Sequence, residues 1–350
     1  MIKLSQLKIT DLFGKYDIKW DFNEVVSVLV GDNGVGKSTI LQILYALLQP
    51  KSLNNNPKLL ELFGTANLLL NNGVEISIIN KKKEINQEGR DLIVRALSDN
   101  KFIEAIKKKI DRDIRFKDEI DRIKAKDKLE QAIQDIISQE TKEESTFSII
   151  GREVSIRLTD EEGKTKNGDF ISQSINAELI STLFMSANSI NEVKGSDGNT
   201  FRVLDMEIAN QISRLSKYKN KETLKEVFIE NINEFLDGKF AVFEGNRLLF
   251  NLQDEGAHYI LFSALSSGER QLVYILLKAI ISLAEKDKLT VLIMDEPEIS
   301  LHLNWQEKLL NCLNNISPKT QIILATHSPA IVMNGWMDSY KEINDIYLEK

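Results

Sequence analysis

Nine residues near the start of the chain, GDNGVGKST at 31–39, combine three glycines with a lysine and two hydroxyls. The order fits G-x-x-x-x-G-K-[ST] in full, and the chemistry it suits is phosphate binding. Gly31, Gly34 and Gly36 let backbone N–H groups turn toward phosphate oxygens, and Asp32, Asn33 and Val35 complete the same loop. A helix beginning after such a loop offers the positive end of its dipole to the same anion. Lys37 can reach β- and γ-phosphates, and the hydroxyl of Ser38, followed by Thr39, can ligand Mg²⁺.

A second stretch, DEPEISLHLNWQ at 295–306, puts three carboxylates into four positions directly after the apolar run VLIM. Crowded carboxylates at the end of a buried strand repel one another unless something positive lies between them. Mg²⁺ is the expected charge. Asp295 would hold the metal directly or through water, and Glu296 would orient and polarise an attacking water. An acid at a helix N-terminus, placed for the dipole, is the bland reading of the pair, and it better suits Glu298, whose role stays open.

Two further stretches carry polar chemistry next to apolar elements. LSSGERQ at 265–271 precedes the apolar run LVYILLKAIISLA. The Ser267 hydroxyl, the Gly268 N–H and the helix dipole would form another anion site, although Ser-Ser-Gly-Glu is also a good helix cap by itself. ATHSP at 325–329 follows the apolar run QIIL, so His327 stands at a strand end where it could hydrogen-bond a phosphate. His302 lies in a second motif-like stretch, and His258 is read as unremarkable.

The elements that must position these groups follow from periodicity. VVSVLV (25–30), TVLIM and QIILA are continuous apolar runs, as expected for strands buried on both faces. TILQILYALL and NWQEKLLNCLNNI have helical spacing. Helix and strand alternate through the last 85 residues, which implies a parallel sheet. Ile18, Trp20 and Phe22 alternate with charged residues, as in a half-buried antiparallel strand. LLLNNGVEISII, with Asn72-Gly73 at its centre, reads as a hairpin, and so do FSIIGREVSIRL and FAVFEGNRLLF. Residues 205–237 form a helical block. Between about 98 and 145 alternating charge dominates, and Ile103, Ile106, Ile110 and Ile114 share one helix face. That segment reads as a helical insertion, a solvated face or a contact surface for a partner.

Composition bounds the class. Of 350 residues, 42% are hydrophobic and 28% charged, ordinary values for a globular protein. The net charge of -7 gives no global pull toward nucleic acid or anionic membranes. A single cysteine, Cys312, excludes an internal disulfide and a cysteine zinc site, and it fits a reducing cytoplasm. The start, MIKLSQLKIT, does not read as a signal peptide, and no apolar run is long enough to span a membrane.

Taken in order, GDNGVGKS, LSSGER, VLIMDEP, EISLH and ATHSP resemble the motifs of the ABC-type ATPases, and more narrowly their SMC/RecF-like branch. The EPEISLH form is similar to the AAA ATPases of bacterial anti-phage defence systems of the OLD, Septu and PARIS types. The resemblance implies an α/β fold, an ABC-type P-loop ATPase head with a mixed sheet, an antiparallel β subdomain and a helical insertion. Residues 1–97 would be the N-terminal half of the head and 98–146 the charged insertion. Residues 147–240 would form a β-hairpin and helical subdomain, and 241–350 the C-terminal half. By motif position, Gly31 to Thr39 would be the Walker A loop, Ser266, Ser267, Gly268 and Glu269 the signature, and Asp295 and Glu296 the Walker B pair. Ser300, Leu301 and His302 would fall in the D-loop, and His327 would be the switch histidine. ATP with Mg²⁺ is the implied cofactor pair, with Ser38 and Asp295 on the metal and Lys37, Glu296 and His327 catalytic.

The family works as a dimer of heads, in which ATP on one Walker A loop is closed over by the signature serine of the other. LSSGER and EISLH depart from the LSGGQ and Ser-Ala-Leu-Asp patterns of transporter ATPases, which argues against a transporter subunit. TDLFGKYDI lacks the usual N-terminal nucleotide-contact pattern, and neither Gln87 nor Gln173 stands out as the Q-loop. OLD-type proteins carry a Toprim nuclease after the switch motif. Here 21 residues follow ATHSP, so the effector is expected on a separate chain. The expected partners are therefore further copies, in a homodimer or higher homo-oligomer through the heads, and a nuclease or Toprim-like effector, with nucleic acid possible and no membrane. A RecF-like repair ATPase is the alternative, marked by salt-sensitive, ATP-dependent DNA binding.

Overall fold

The computed structural model of the chain describes residues 2–80, 146–149, 152–159, 169–181, 192–194, 200–252, 258–284 and 288–348. The charged insertion expected at 98–146 lies almost wholly outside the described residues, as does Gln87.

The chain opens with strands β1 (Leu4–Leu12), β2 (Tyr16–Asp21) and β3 (Val26–Val30), then helix α1 (Lys37–Leu48). Strands β4 (Thr65–Leu70) and β5 (Glu75–Asn80) form the hairpin expected at Asn72-Gly73, with Gly73 at φ 74°. Next come β6 (Thr146–Ile149), β7 (Arg152–Thr159), α2 (Asp169–Ser174), β8 (Ile175–Ser181), β9 (Glu192–Lys194) and β10 (Thr200–Arg202). The helical block resolves into α3 (Val203–Leu215) and α4 (Lys221–Asn233), followed by β11 (Lys239–Glu244), β12 (Arg247–Leu252) and β13 (Tyr259–Leu261). The last part holds α5 (Ser267–Ala284), β14 (Leu289–Asp295), α6 (Leu303–Ile316), β15 (Gln321–Thr326), α7 (Ala330–Met333), β16 (Tyr340–Glu342) and β17 (Tyr347–Leu348).

Two larger sheets organise these elements. The five-stranded sheet has the order β16-β3-β15-β14-β8, and every pairing in it is parallel. The seven-stranded sheet has the order β17-β2-β1-β4-β5-β7-β6 and is antiparallel throughout. The expected parallel and antiparallel strands are both present, segregated into these two sheets, and β11–β13 make a third, smaller sheet.

The period of 2 in the apolar runs decides which layer each side chain joins. Val291 and Ile293 of β14 and Ile323 of β15 pack with Ile40, Leu44 and Leu47 of α1 and with Leu7, Ile9 and Trp20 of the antiparallel sheet. Leu292, Met294, Ile322 and Leu324, the alternate residues, pack on the other face with α3, α4, α5 and α6. The runs read as continuously apolar because both faces are covered, and each fully buried side chain contributes about 1.5–3 kcal/mol. Helix α1, with the phosphate-loop residues at its N-terminus, therefore lies between the two sheets. Helix α5 is buried along nearly its whole length, as an all-round apolar helix must be. Among the described residues, no helix is long and apolar enough to cross a membrane.

Candidate nucleotide site

The site forms where parallel strands end together. Thr326 pairs with Val30, and Asp295 pairs with Ala325 and Ser181, so β3, β15, β14 and β8 present their C-terminal ends along one edge. Crevices at that edge are the ordinary binding place of open α/β sheets.

The loop after β3 has the backbone its glycines suggest. Gly36, the residue before α1, sits at φ 98°, and a Cβ there would come within 2.7 Å of the Phe13 ring. At Gly31 a Cβ would meet Ile343 at 2.7 Å. Asp32, Asn33 and Gly34 are exposed, and the Val35 carbonyl accepts a hydrogen bond from the Tyr347 hydroxyl at 2.8 Å. Tyr347 stacks on Tyr16 with ring centroids 4.5 Å apart. Sequence reading missed Tyr347, since nothing in SYKEINDIYL marks one tyrosine as a support for a loop 312 residues earlier.

Lys37 is 3% exposed, and its ammonium donates to the carbonyls of Gly31 at 2.8 Å and Asp32 at 2.9 Å. Its Nζ also lies 2.7 Å from His327 Nε2. Burial lowers its pKa, against the raising influence of Glu296, Asp295, Glu298 and Asp32. Ser38 donates its hydroxyl to Asp295 Oδ1 at 2.9 Å. Burial pushes the Asp295 carboxyl up. The Ser38 hydrogen bond and Lys37 work against that shift, and repulsion from Glu296 and Glu298 works with it. Two hard oxygen donors meet there, one on a buried carboxylate short of positive charge, and that donor set fits Mg²⁺. Thr39 is half-buried one residue further along α1.

The three clustered carboxylates part company within four residues. Asp295 turns to Ser38. Glu296 Oε1 lies 3.0 Å from His327 Nε2. Glu298 Oε1 accepts from the Thr326 hydroxyl at 2.6 Å, the His327 amide at 2.8 Å and the Ser328 amide at 3.2 Å. The role of Glu298, open in the sequence, is therefore not that of a helix-dipole acid. Helix α6 starts at Leu303 with no acid in its first turn, and Glu298 instead receives the chain leaving β15. The turn between Glu298 and its neighbours is strained: Glu296 sits at φ 49° and Ser300 at φ 71°. Positive φ on side-chain-bearing residues costs about 1–3 kcal/mol each and tends to cluster at functional sites.

The residues expected to form the signature, 266–269, lie beyond this turn. Ser266 caps α5 in a reciprocal box with Glu269: Glu269 Oε2 accepts from the Ser266 amide at 2.8 Å, and the Glu269 amide reaches Ser266 Oγ at 3.4 Å. Glu269 also pairs with Lys239 at 2.6 Å, which holds its carboxyl low against the upward push of burial. Ser267 is half-buried and takes no part in that box. Gly268 faces the Ser300 carbonyl so closely that a Cβ would come within 2.3 Å of it. The Gln271 side-chain amide donates to the Pro297 carbonyl at 2.6 Å. Among the described residues, no hydrogen bond or ion pair joins Ser266 to Glu269 directly with Lys37, Asp295, Glu296 or His327. The fold thus brings Lys37, Ser38, Asp295, Glu296 and His327 together and leaves residues 266–269 behind the turn at 296–300. His302 is exposed ahead of α6, edge-on to Trp305, and Gln173 is exposed on α2.

A loop of this shape, with an acid pair and a histidine at the ends of parallel strands, defines a P-loop nucleotide-binding domain. The chain belongs to the family described as "AAA domain, putative AbiEii toxin, Type IV TA system", whose profile matches residues 26–334. It is similar to the Septu protein PtuA of Bacillus thuringiensis, with 24% identity over 345 residues, 95% of this chain and 73% of that protein. A shorter stretch of 56 residues is 34% identical to the Retron Vc95 probable ATPase of Vibrio cholerae serotype O1 biovar El Tor, covering 16% of this chain and 11% of that one. Among solved structures, an SMC head bound to the C-winged helix domain of ScpA aligns over 95% of this chain and 92% of that chain at 14% identity, with a TM-score of 0.48. The SMC head domain from Thermotoga maritima aligns over the same shares at 15% identity, with a TM-score of 0.40.

Proposed function

We propose that the chain binds and hydrolyses ATP, closes as a dimer of heads around it, and thereby controls a separately encoded effector in anti-phage defence. The observation that carries the ATPase reading is the convergence of Ser38 with Asp295, and of Lys37 with His327 and Glu296, at one sheet edge. The resemblance of EPEISLH to defence ATPases and the similarity to the Septu protein support the defence role.

Each residue has a part its surroundings suit. The Lys37 ammonium, now on the Gly31 and Asp32 carbonyls, is placed to exchange those acceptors for phosphate oxygens. Ser38 and Asp295 would hold Mg²⁺, which when bound neutralises phosphate charge. The Glu296 carboxylate is the group to orient and polarise the attacking water, and His327 the group to meet the γ-phosphate. Residues 266–269 would face the nucleotide of a second copy, which fits an exposed Ser266 and a Ser267 outside the cap. A nuclease or Toprim-like protein is the proposed effector, in the cytoplasm.

The deciding experiment measures phosphate release and binding of a fluorescent ATP analogue side by side. Lys37→Ala should lose binding. Glu296→Gln should keep binding and lose turnover by about 10²–10⁴-fold. Turnover at the wild-type rate in Glu296→Gln would overturn its role, and normal binding in Lys37→Ala would overturn the site.

A further inference from the structure

Every described hydrogen bond of the Glu298 side chain leads to the end of β15. The residue is 8% exposed, and one oxygen collects three donors: the Thr326 hydroxyl and the consecutive amides of His327 and Ser328. The other oxygen is buried without a hydrogen-bond partner. Strand β15 ends at Thr326, so the next two amides have left the ladder. Amides that leave a ladder need other acceptors: Glu298 receives the His327 amide, and it shares the Ser328 amide with Thr326 Oγ1, which lies 2.9 Å from it.

That reception fixes a direction. The backbone leaving β15 carries the His327 side chain, whose Nε2 lies between Lys37 Nζ at 2.7 Å and Glu296 Oε1 at 3.0 Å. A ring nitrogen offers either one lone pair or one proton, so Nε2 cannot accept from Lys37 and donate to Glu296 at once. Which neighbour it serves depends on the tautomer, and the reach of the ring to both depends on where the backbone leaving β15 is held.

We infer that Glu298 is a positioning residue for His327: its carboxylate holds the exit of β15 so that the imidazole stands between Lys37 and Glu296. The inference rests on the reading of His327 as a group that acts in ATP hydrolysis. A merely structural carboxylate would affect stability without selectively moving the histidine.

The chain has three histidines, so the Cε1–H region of an imidazole ¹H–¹³C spectrum shows three signals, and loss of one in His327→Ala assigns that residue. Glu298→Ala should shift and broaden the His327 signal and leave His258 and His302 in place. It should also lower kcat by about a hundredfold while ATP affinity changes by less than about threefold. Glu298→Gln keeps an acceptor oxygen without the charge, so it should fall between Glu298→Ala and wild type in both readouts. A His327 signal unmoved in Glu298→Ala overturns the inference. If that variant does not fold, Glu298→Gln decides, and an unmoved His327 signal there overturns it equally. Failure of the wild type to release phosphate from ATP would instead strike the hydrolysis reading, while the spectrum still tests the link between Glu298 and His327.

Discussion

Gln271 on helix α5 and Pro297 in the turn after β14 are joined by a hydrogen bond of 2.6 Å from side-chain amide to backbone carbonyl. Gln271 is fully buried, and three residues before it Gly268 presses against Ser300 at the far end of the same turn. The strained turn that carries Glu296 is therefore held by helix α5, whose first residues are the proposed signature. A movement of either one reaches the other through packed atoms within a single chain. Gln271→Leu leaves the Pro297 carbonyl unpaired in the interior. It should cost about 1–3 kcal/mol in urea unfolding, and phosphate release should fall with it because Glu296 loses its support. Unchanged stability would remove the coupling.

Closure of two heads is tested at Ser267. Ser266, not Ser267, caps α5, so Ser267→Arg should change stability by less than about 0.5 kcal/mol. An arginine at the proposed anion site should leave nucleotide binding intact and abolish nucleotide-dependent dimerisation in sedimentation. A dimer forming normally with ATP would rule out a role for this residue in closure.

A buried ion-pair group makes stability depend on pH. Glu178 of β8 accepts from Lys278 of α5 at 2.5 Å and from Arg214 of α3 at 2.8 Å. Burial alone would raise its carboxyl, but Lys278 and Arg214 outweigh that and hold it below the usual carboxylate range. The unfolded chain then takes up the proton at higher pH than the folded one. The stabilisation is complete above the ordinary carboxylate range and is lost as pH falls through it toward the lowered folded value. Melting curves should show this acid limb, and Glu178→Gln should flatten it while costing about 3–5 kcal/mol at neutral pH. An acid limb of equal slope in the variant would contradict the assignment.

Cys312 should be chemically quiet. Burial pushes its thiol up to about 12, with Glu234 adding to the shift, and its Sγ lies 3.4 Å from Asn231 Oδ1. A thiol reagent at pH 8 should label the native protein roughly a thousandfold more slowly than the urea-unfolded chain. Comparable rates would show that this part of α6 opens readily.

Much of the fold was legible because the governing signals are local. The runs at 25–30, 291–294 and 321–325 needed only their continuous apolarity to be read as strands covered on both faces. The hairpin at Asn72-Gly73 needed only its turn chemistry. The phosphate loop was legible because every residue it uses is contiguous. Cys312 was harder. Asn311, Asn314 and Asn315 surround it, yet the helical period puts it on the buried face with Leu309, Leu313 and Ile316, so a stretch rich in asparagine contained a buried thiol.

The sequence by itself determined which residues are chemically able: Lys37 and Ser38 in a glycine loop, three carboxylates after a buried strand, and a histidine at the end of another. Tertiary structure alone decided whom each one meets. Ser38 and Asp295 are 257 residues apart, and Lys37 and His327 are 290 apart. No local pattern encodes those pairings, which follow from the order and register of parallel strands. Glu298 shows the division most clearly. A carboxylate in a turn can cap a helix, bind a metal or anchor a backbone with equal chemical ease. The choice fell to the strand that happened to end beside it, because a buried acceptor takes whatever unpaired donors the fold brings within reach.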